Sequence, residues 1–212
     1  MSGIKEKIKI LARNYSEDLN KKITERVKKM DSDDKSHYLI YRVLGVTNQE
    51  GELIDIYQNK GRFLYKYAGA LLEESAILCF EEKFENTKKK VRIPNTHGSR
   101  PKTFEIDCLI GTEAYEIKWR DATTDGDHIT KEHTRVKNIK EAGFKPIRIM
   151  FYYPNRDQAI KIQETIETIY SGIGGEYNYG NKAWELIRKK TGVDLFKIME
   201  EIAEENSKKQ LK

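Results

Sequence analysis

Two carboxylates and a lysine lie close together in this sequence, within apolar and strand-like surroundings. Asp107 is followed nine positions later by Glu116, and Lys118 comes two residues after that. Because alternate residues of a β-strand share a face, Glu116 and Lys118 project together while Ile117 points into the interior. Carboxylate oxygens suit Mg²⁺, and a neighbouring lysine can orient or deprotonate a water molecule. The arrangement favours magnesium-dependent cleavage of a phosphodiester.

The residues between these groups decide whether they meet. Residues 111–113, with the sequence Gly-Thr-Glu, predict a short hairpin turn that would bring Asp107 alongside Glu116. The alternative is an edge strand whose charged residues simply face solvent, because so short a spacing also arises by chance. Both interpretations are open from these residues alone.

A third acidic residue lies on the apolar face of a predicted helix. The helix spans about 62–84, and its apolar face carries Leu72, Ala76, Ile77, Phe80 and Phe84. Glu73 falls on the same face, where a carboxylate is costly to bury unless a metal ion or a lysine pairs with it. Alternatively Glu73 lies at the edge of the apolar stripe and reaches water. Glu74 is the second candidate for the same role.

Length and composition predict one globular domain with a real core, since the chain has 212 residues. The net charge of +5 agrees with nucleic-acid binding but does not establish it. The two cysteines, Cys79 and Cys108, lie in apolar segments and indicate buried thiols in a reducing compartment. No apolar run reaches membrane-spanning length, so we expect a cytoplasmic protein with no membrane partner.

Periodicity predicts helices on both sides of a central strand region. Residues 4–30 form an amphipathic helix, 48–51 a turn and 92–101 a loop that holds two of the four prolines. Further predicted elements are a helix ending near Gly143, a strand over 145–153, and helices over 156–170, 182–190 and 193–203. The fold class is α/β, a mixed central β-sheet flanked by helices with additional N- and C-terminal helices. We divide the single domain 1–212 into a helical N-terminal segment 1–60, a catalytic core 61–170 and C-terminal helices 171–212.

Two groups of polar side chains could contact a nucleic acid. The basic group lies just upstream of Asp107 and could meet a phosphate backbone, although a solvated basic turn explains it equally well. It consists of Lys88, Lys89, Lys90, Arg92, Arg100 and Lys102. The second group follows the Glu-x-Lys strand and offers donors and acceptors for base edges. It consists of Arg120, Thr123, Thr124, Asp125, His128, Lys131 and Arg135. Each of these alone fits an ordinary polar residue, and as a cluster we predict that they face DNA.

The order of the elements resembles the core of PD-(D/E)xK nucleases. That order is a Glu-bearing helix, a strand with Asp, a strand with Glu-x-Lys, and then helix, strand and helix. More narrowly, residues 115–128 are similar to a segment of ApaLI-like type II restriction endonucleases. The core resemblance covers about 69–170. Ile106 departs from the proline that the superfamily name suggests, but that proline is often absent in the superfamily.

The resemblance implies sequence-specific, Mg²⁺-dependent hydrolysis of double-stranded DNA that leaves 5′-phosphate ends. Asp107, Glu116 and Ile117 would be metal ligands, Lys118 the water-activating residue and Glu73 an accessory acid. Two adjacent carboxylates should raise the pKa of Lys118, so we favour orientation and charge stabilisation over proton abstraction. The resemblance also implies a homodimer and a cognate DNA methyltransferase as functional partner. The alternatives are a structure-specific nuclease of the junction-resolvase or repair type, and a non-catalytic DNA-binding or protein-interaction module.

Overall fold

The computed structural model describes residues 2–98, 100–121 and 123–210. They form two compact units. The first comprises residues 2–8 and 72–210, and the second comprises Lys9–Leu71. None of the helices in the described part of the chain is long and apolar enough to cross a membrane.

A five-stranded mixed sheet forms the centre of the first unit. Its strands are β1 (Lys88–Pro94), β2 (Thr103–Ile110), β3 (Glu113–Arg120), β4 (Lys145–Tyr152) and β5 (Glu176–Tyr179). Their order in the sheet follows their order in the chain. The pairs β1–β2 and β2–β3 are antiparallel, whereas β3–β4 and β4–β5 are parallel. The predicted α/β fold class with terminal helices is confirmed.

Helices precede, interrupt and follow the sheet. Their bounds are α1 (Ser2–Met30), α2 (Tyr38–Val43), α3 (Asn48–Lys83), α4 (Asp127–Glu141), α5 (Asp157–Gly172), α6 (Asn181–Thr191) and α7 (Leu195–Gln210). The parallel connections β3–α4–β4 and β4–α5–β5 each use one helix as the crossover, as a parallel pair requires. The predicted helices and the predicted strand after position 145 are present, but the helix predicted over 62–84 begins at Asn48 and the last helix continues to Gln210.

Helices of the first unit cover both faces of the sheet. Tyr115 of β3 packs against Phe80 of α3, with ring centroids 4.7 Å apart. Its neighbour Glu116 points to the other face and contacts Arg135 of α4. Successive side chains of a strand point to opposite faces, so α3 and α4 lie on opposite sides of β3. The buried cluster on the α4 and α5 side includes Val136, Met150, Ile162, Ile166, Tyr170 and Tyr177.

The hairpin predicted between the two central strands is present. Cys108 of β2 pairs with Tyr115 of β3, and Ile110 pairs with Glu113. Gly111 turns the chain with φ of 56°, a left-handed conformation that glycine adopts without the steric cost of a Cβ. Local turn chemistry therefore fixes which residues of β2 and β3 face one another.

The loop predicted over 92–101 is wrong in its first part, because β1 continues to Pro94. Val91 pairs with Ile106 and Ile93 with Phe104, so the strand adds an antiparallel edge to the sheet. Only Ile93 in this strand is buried and Val91 is half-buried, whereas the other side chains are exposed. A basic edge strand ending in proline has the composition of a loop, which explains the error.

The turn predicted over 48–51 is also wrong, because α3 is one continuous helix from Asn48. Thr47 Oγ1 accepts a hydrogen bond from the Glu50 backbone N–H at 3.2 Å, and the Thr47 backbone N–H donates to Glu50 Oε2 at 2.9 Å. This reciprocal pair is a capping box, which starts a helix where the polar composition suggested a turn. Strand β5 was not predicted, since four residues between glycines carry little periodic signal.

Candidate active site

The hairpin brings the two predicted carboxylates together on one face of the sheet. Asp107 of β2 and Glu116 of β3 are both buried. Asp107 Oδ2 accepts a hydrogen bond of 2.8 Å from the backbone N–H of Ile117, whose side chain is itself buried in the core. A hydrogen bond from the adjacent strand holds the Asp107 carboxylate at the sheet surface beside Glu116.

Lys118 lies next to both carboxylates. Its Nζ is 2.6 Å from Glu116 Oε1 and 3.8 Å from Asp107 Oδ2. Burial would lower the pKa of Lys118, but the charges of Glu116 and Asp107 outweigh burial and raise it. The ammonium therefore keeps its proton at neutral pH and acts at this place as a fixed positive charge.

The pKa values of the two carboxyl groups move in opposite directions. Burial, and then the neighbouring charge of Glu116, raise the pKa of Asp107. Burial also opposes the charge of Glu116, but Lys118 and Arg135 hold the pKa of Glu116 below its usual value. Two acids whose pKa values are pushed apart by their surroundings are typical of catalytic and metal sites.

Glu73 of α3 is connected to Asp107 by a second lysine, Lys90, which contacts both carboxylates. Its Oε1 forms an ion pair with Nζ of Lys90 in β1, and the same Nζ lies 3.8 Å from Asp107 Oδ1. Glu105 Oε1 is 3.6 Å from that Nζ. The adjacent Glu74 is exposed. Of the two candidate acids of this helix, the structure places Glu73 at the carboxylate pair.

Arg135 of α4 contacts the other oxygen of Glu116. It forms an ion pair with Glu116 Oε2, and its Nε lies 3.4 Å from Glu132 Oε1. The other oxygen of Glu132 accepts a hydrogen bond of 3.0 Å from Arg148 of β4. Arg148 is fully buried and also donates to Asp121 Oδ2 at 2.6 Å. Buried charges of alternating sign therefore extend from Glu116 to the loop after β3.

Sequence reasoning did not assign Lys90, Glu132 or Arg148 to the site. It placed Lys90 only among basic residues that could meet DNA, because nothing local shows that the side chain turns toward Asp107. Arg148 did carry a signal, since it interrupts the apolar run Ile147–Met150 of a predicted interior strand. A charge at such a position requires a buried partner.

Together these side chains form one row of alternating charges, which we call the charge row. Its members in order are Arg135, Glu116, Lys118, Asp107, Lys90 and Glu73. Neighbours in the row have opposite charge, so three carboxylates are balanced by three cations. This balance offsets the free-energy cost of holding the carboxylates in a poorly solvated place.

The donor set of the charge row fits a magnesium ion. Both carboxylate oxygens of Glu116 are inaccessible to solvent and accept no hydrogen bond of normal geometry. Asp107 adds a second carboxylate, and such hard oxygen ligands suit Mg²⁺. In the described part of the chain no group of three or more His, Cys, Asp or Glu side chains is arranged as a metal site. A site here would therefore need oxygen from the backbone, from water or from a substrate phosphate.

The predicted base-reading residues lie in and around the loop between β3 and α4. Arg120 Nη2 donates to Asn155 Oδ1 at 3.0 Å, and His128 Nε2 lies 2.8 Å from Asp121 Oδ2. Asp125 accepts a hydrogen bond from the backbone of Asp127, which shapes the start of α4. The predicted residues that are exposed are Arg100, Lys102, Thr124, Asp125 and Lys131. Thr123 and His128 are half-buried, and Arg135 turns inward to the charge row.

Comparison with known protein families matches residues 1–204 of the 212 to the ApaLI-like restriction endonuclease. No curated protein and no solved structure matches the chain. The family match extends well beyond the residues 69–170 that carried the resemblance in the sequence, and it includes the helices of the second unit.

Proposed function

The chain belongs to the ApaLI-like restriction endonuclease family, and from this premise we propose that it is a type II enzyme. In this proposal it hydrolyses double-stranded DNA at a specific sequence, depends on Mg²⁺ and leaves 5′-phosphate ends. The family itself implies a nuclease with DNA as substrate. The observation that supports the finer proposal is the convergence of Asp107, Glu116 and Lys118 at one place on the sheet.

We assign the catalytic roles by the PD-(D/E)xK pattern. Asp107 and Glu116, with the backbone carbonyl of Ile117, would hold the ion, and Glu73 would be an accessory acid. When bound, Mg²⁺ supplies Lewis-acid stabilisation of the phosphate and a water of lowered pKa. The fold places the carboxylates of Asp107 and Glu116 side by side. Bulk water is excluded from Glu116, whose oxygens are buried.

Lys118 would orient the attacking water and stabilise negative charge on the phosphate. Its raised pKa opposes a role as general base, because a lysine that keeps its proton cannot accept another. A fixed positive charge beside the developing charge of the transition state lowers the activation barrier without any proton transfer.

DNA binding would involve exposed and half-buried polar residues on either side of the charge row. Arg100 and Lys102 precede β2 and would contact phosphates, which carry affinity rather than sequence information. Arg120, Thr123, Thr124, Asp125, His128 and Lys131 would provide the contacts to bases and nearby phosphates. The ion pair of Arg135 with Glu116 favours a role at the charge row over base reading.

We propose that the whole chain acts as one nuclease domain and that two copies form a homodimer, with a cognate methyltransferase protecting host DNA. Cutting both strands of a palindrome is most simply done by a two-fold dimer. Exposed apolar side chains support self-association, since ten of the twelve large ones identified in the described residues lie within Lys9–Leu71.

The test is digestion of plasmid DNA with Mg²⁺ by the wild-type protein and by Asp107→Ala and Lys118→Ala. We expect discrete fragments from the wild type and none from either variant. Lys161→Ala, at an exposed lysine of α5, is the matched control and should cut normally. Cleavage restricted to branched DNA would indicate a structure-specific nuclease, and absence of cleavage would indicate a binding module. Either result contradicts the proposal.

A further inference from the structure

Lys90 has an unusual backbone conformation next to Asp107. Lys89 pairs with Cys108 and Val91 pairs with Ile106, so Lys90 lies between these pairs, beside Asp107. Its φ is 52°, the one positive value found at a non-glycine position in the residues that the structure describes. A side chain rarely adopts this conformation without cost, and such residues concentrate at functional sites. In this conformation the side chain of Lys90 points toward Glu73 and Asp107 of the charge row.

The ammonium group of Lys90 lies among carboxylates from two different elements. It forms an ion pair with Glu73 of α3 and lies 3.8 Å from Asp107 Oδ1. The two oxygens of Asp107 therefore face different cations, since Oδ2 lies 3.8 Å from Lys118 Nζ. Asp107 thus separates two cation positions, one toward Glu116 and one toward Glu73.

The placement of Asp107 between two cations resembles that of a carboxylate in a two-metal site, where the two divalent ions lie about 4 Å apart. The position toward Glu116 has the buried carboxylate, whose oxygens contact Lys118 and Arg135 without a hydrogen bond of normal geometry. At the position toward Glu73, a lysine ammonium already provides the positive charge. Lysine is suited to this substitution because its charge is compact and lies at the end of a flexible stem.

We propose that Lys90 takes the place of a second metal ion, so that the active site binds one divalent ion per chain. This inference rests on the proposed function, which assigns the metal to Asp107 and Glu116. Removing the ammonium leaves Glu73 and Asp107 with no cation between them. The two carboxylates then form a second position with hard oxygen ligands for a divalent ion.

The experiment counts Mn²⁺ ions bound per chain, by electron paramagnetic resonance of the free ion during titration of the full-length protein. Lys90→Met removes the charge at similar length, and Lys90→Gly removes it while accommodating the positive φ. Lys89→Met is the matched control, since the ammonium of Lys89 pairs with Glu81 at 2.9 Å and not with the charge row. We expect one ion for the wild type and for Lys89→Met, and two for both variants at Lys90. Adding Glu73→Gln to Lys90→Met should abolish the second ion and keep the first, because Glu73 belongs only to the position that Lys90 occupies.

Two ions in the wild type, or one ion in both variants at Lys90, would overturn the inference. Unfolding of both variants would also overturn it, because a lysine that only replaces a cation at a half-exposed edge is dispensable for folding. Plasmid cleavage by the same wild-type preparation separates the two proposals. Cleavage with an unchanged ion count refutes the role of Lys90 alone, whereas no cleavage and no bound ion refute the proposed function as well.

Discussion

Arg135 of α4 forms an ion pair with Oε2 of Glu116, a buried carboxylate of β3. The other oxygen contacts Lys118 at 2.6 Å, so each oxygen of Glu116 has its own cation. Arg135 is in turn placed by Glu132, which lies one turn earlier on the same helix. Helix α4 therefore provides a positioning residue for a candidate metal ligand of β3.

Replacing Arg135 tests this positioning role. In Arg135→Gln the Glu116 carboxylate loses one cation, and we expect kcat to fall about 10- to 100-fold, as for other residues that orient metal ligands. KM for DNA should change little, because the residue does not contact the substrate. Arg135→Lys should restore part of the activity, since it keeps the charge. Steady-state kinetics on a plasmid or oligonucleotide substrate measure both constants.

Lys131→Ala is the matched comparison, one helical turn before Arg135 and exposed to solvent. If Lys131 contacts a phosphate, its loss should weaken DNA binding and reduce the salt dependence by about one unit of slope, with kcat nearly unchanged. An Arg135 variant that behaved like this one, or that relaxed sequence specificity at normal kcat, would indicate base or phosphate contact instead.

Arg148 should be essential for stability. It is fully buried and donates hydrogen bonds to Asp121 and Glu132, so Arg148→Met removes the cation that these two carboxylates share. Breaking a buried ion pair by removing one partner costs about 3–5 kcal/mol of unfolding free energy. Urea denaturation followed by circular dichroism gives this value. The exposed pair Lys189–Glu185 provides the control, and Lys189→Met should cost less than about 1 kcal/mol.

The pH dependence of the unfolding free energy should show the contribution of the ionised Asp121 carboxylate. Burial alone would raise its pKa, but the hydrogen bond with His128 and the charge of Arg148 hold that pKa well below its usual range. A carboxyl group with a lowered pKa stabilises the fold above its unfolded-state value of about 3.9 and loses this effect as pH falls further. Asp121→Asn should therefore destabilise the protein at pH 7 and much less in strong acid.

Unfolding free energies of Asp121→Asn and the wild type, compared across the acid range, test this expectation. Asp157→Asn changes an exposed acid in the first turn of α5 and should alter stability by no more than about 1 kcal/mol. A difference between Asp121→Asn and the wild type that stayed constant down to low pH would show that the ionised carboxylate is not the stabilising species.

Self-association should depend on the exposed apolar residues of the second unit. Val43 and Leu44 are each 74% exposed at the end of α2. Lysines at the C-terminal end of a helix are compatible with its dipole, so the double variant Val43→Lys and Leu44→Lys should still fold. Sedimentation equilibrium should show a dimer for the wild type and a monomer for this variant. Phe196→Lys, in the first unit, should remain dimeric, and a wild-type monomer would contradict the proposed homodimer.

Part of the geometry of the candidate active site follows from local sequence. The alternation of β3, the Gly111 turn and the carboxylate at position 107 predicted that Asp107, Glu116 and Lys118 could converge, with a solvent-facing edge strand as the alternative. The structure brings the three side chains together. The capping box at Thr47 was local too, but its polar residues also fit a turn, so composition alone misassigned it. Short or solvated strands were missed because their patterns match those of loops.

The sequence by itself determined how Asp107, Glu116 and Lys118 are placed relative to one another, since all three lie on one hairpin. Turn type and strand alternation act over a few positions and set that placement. Only the tertiary structure decided which cations neutralise the carboxylates of the charge row. Lys90, Arg135 and Arg148 come from β1, α4 and β4, and each has a partner far away in the chain. A buried charge requires a partner of opposite charge, and any segment of the chain that supplies this partner relieves the same free-energy cost of burial. Packing of the helices and strands around the sheet makes that choice.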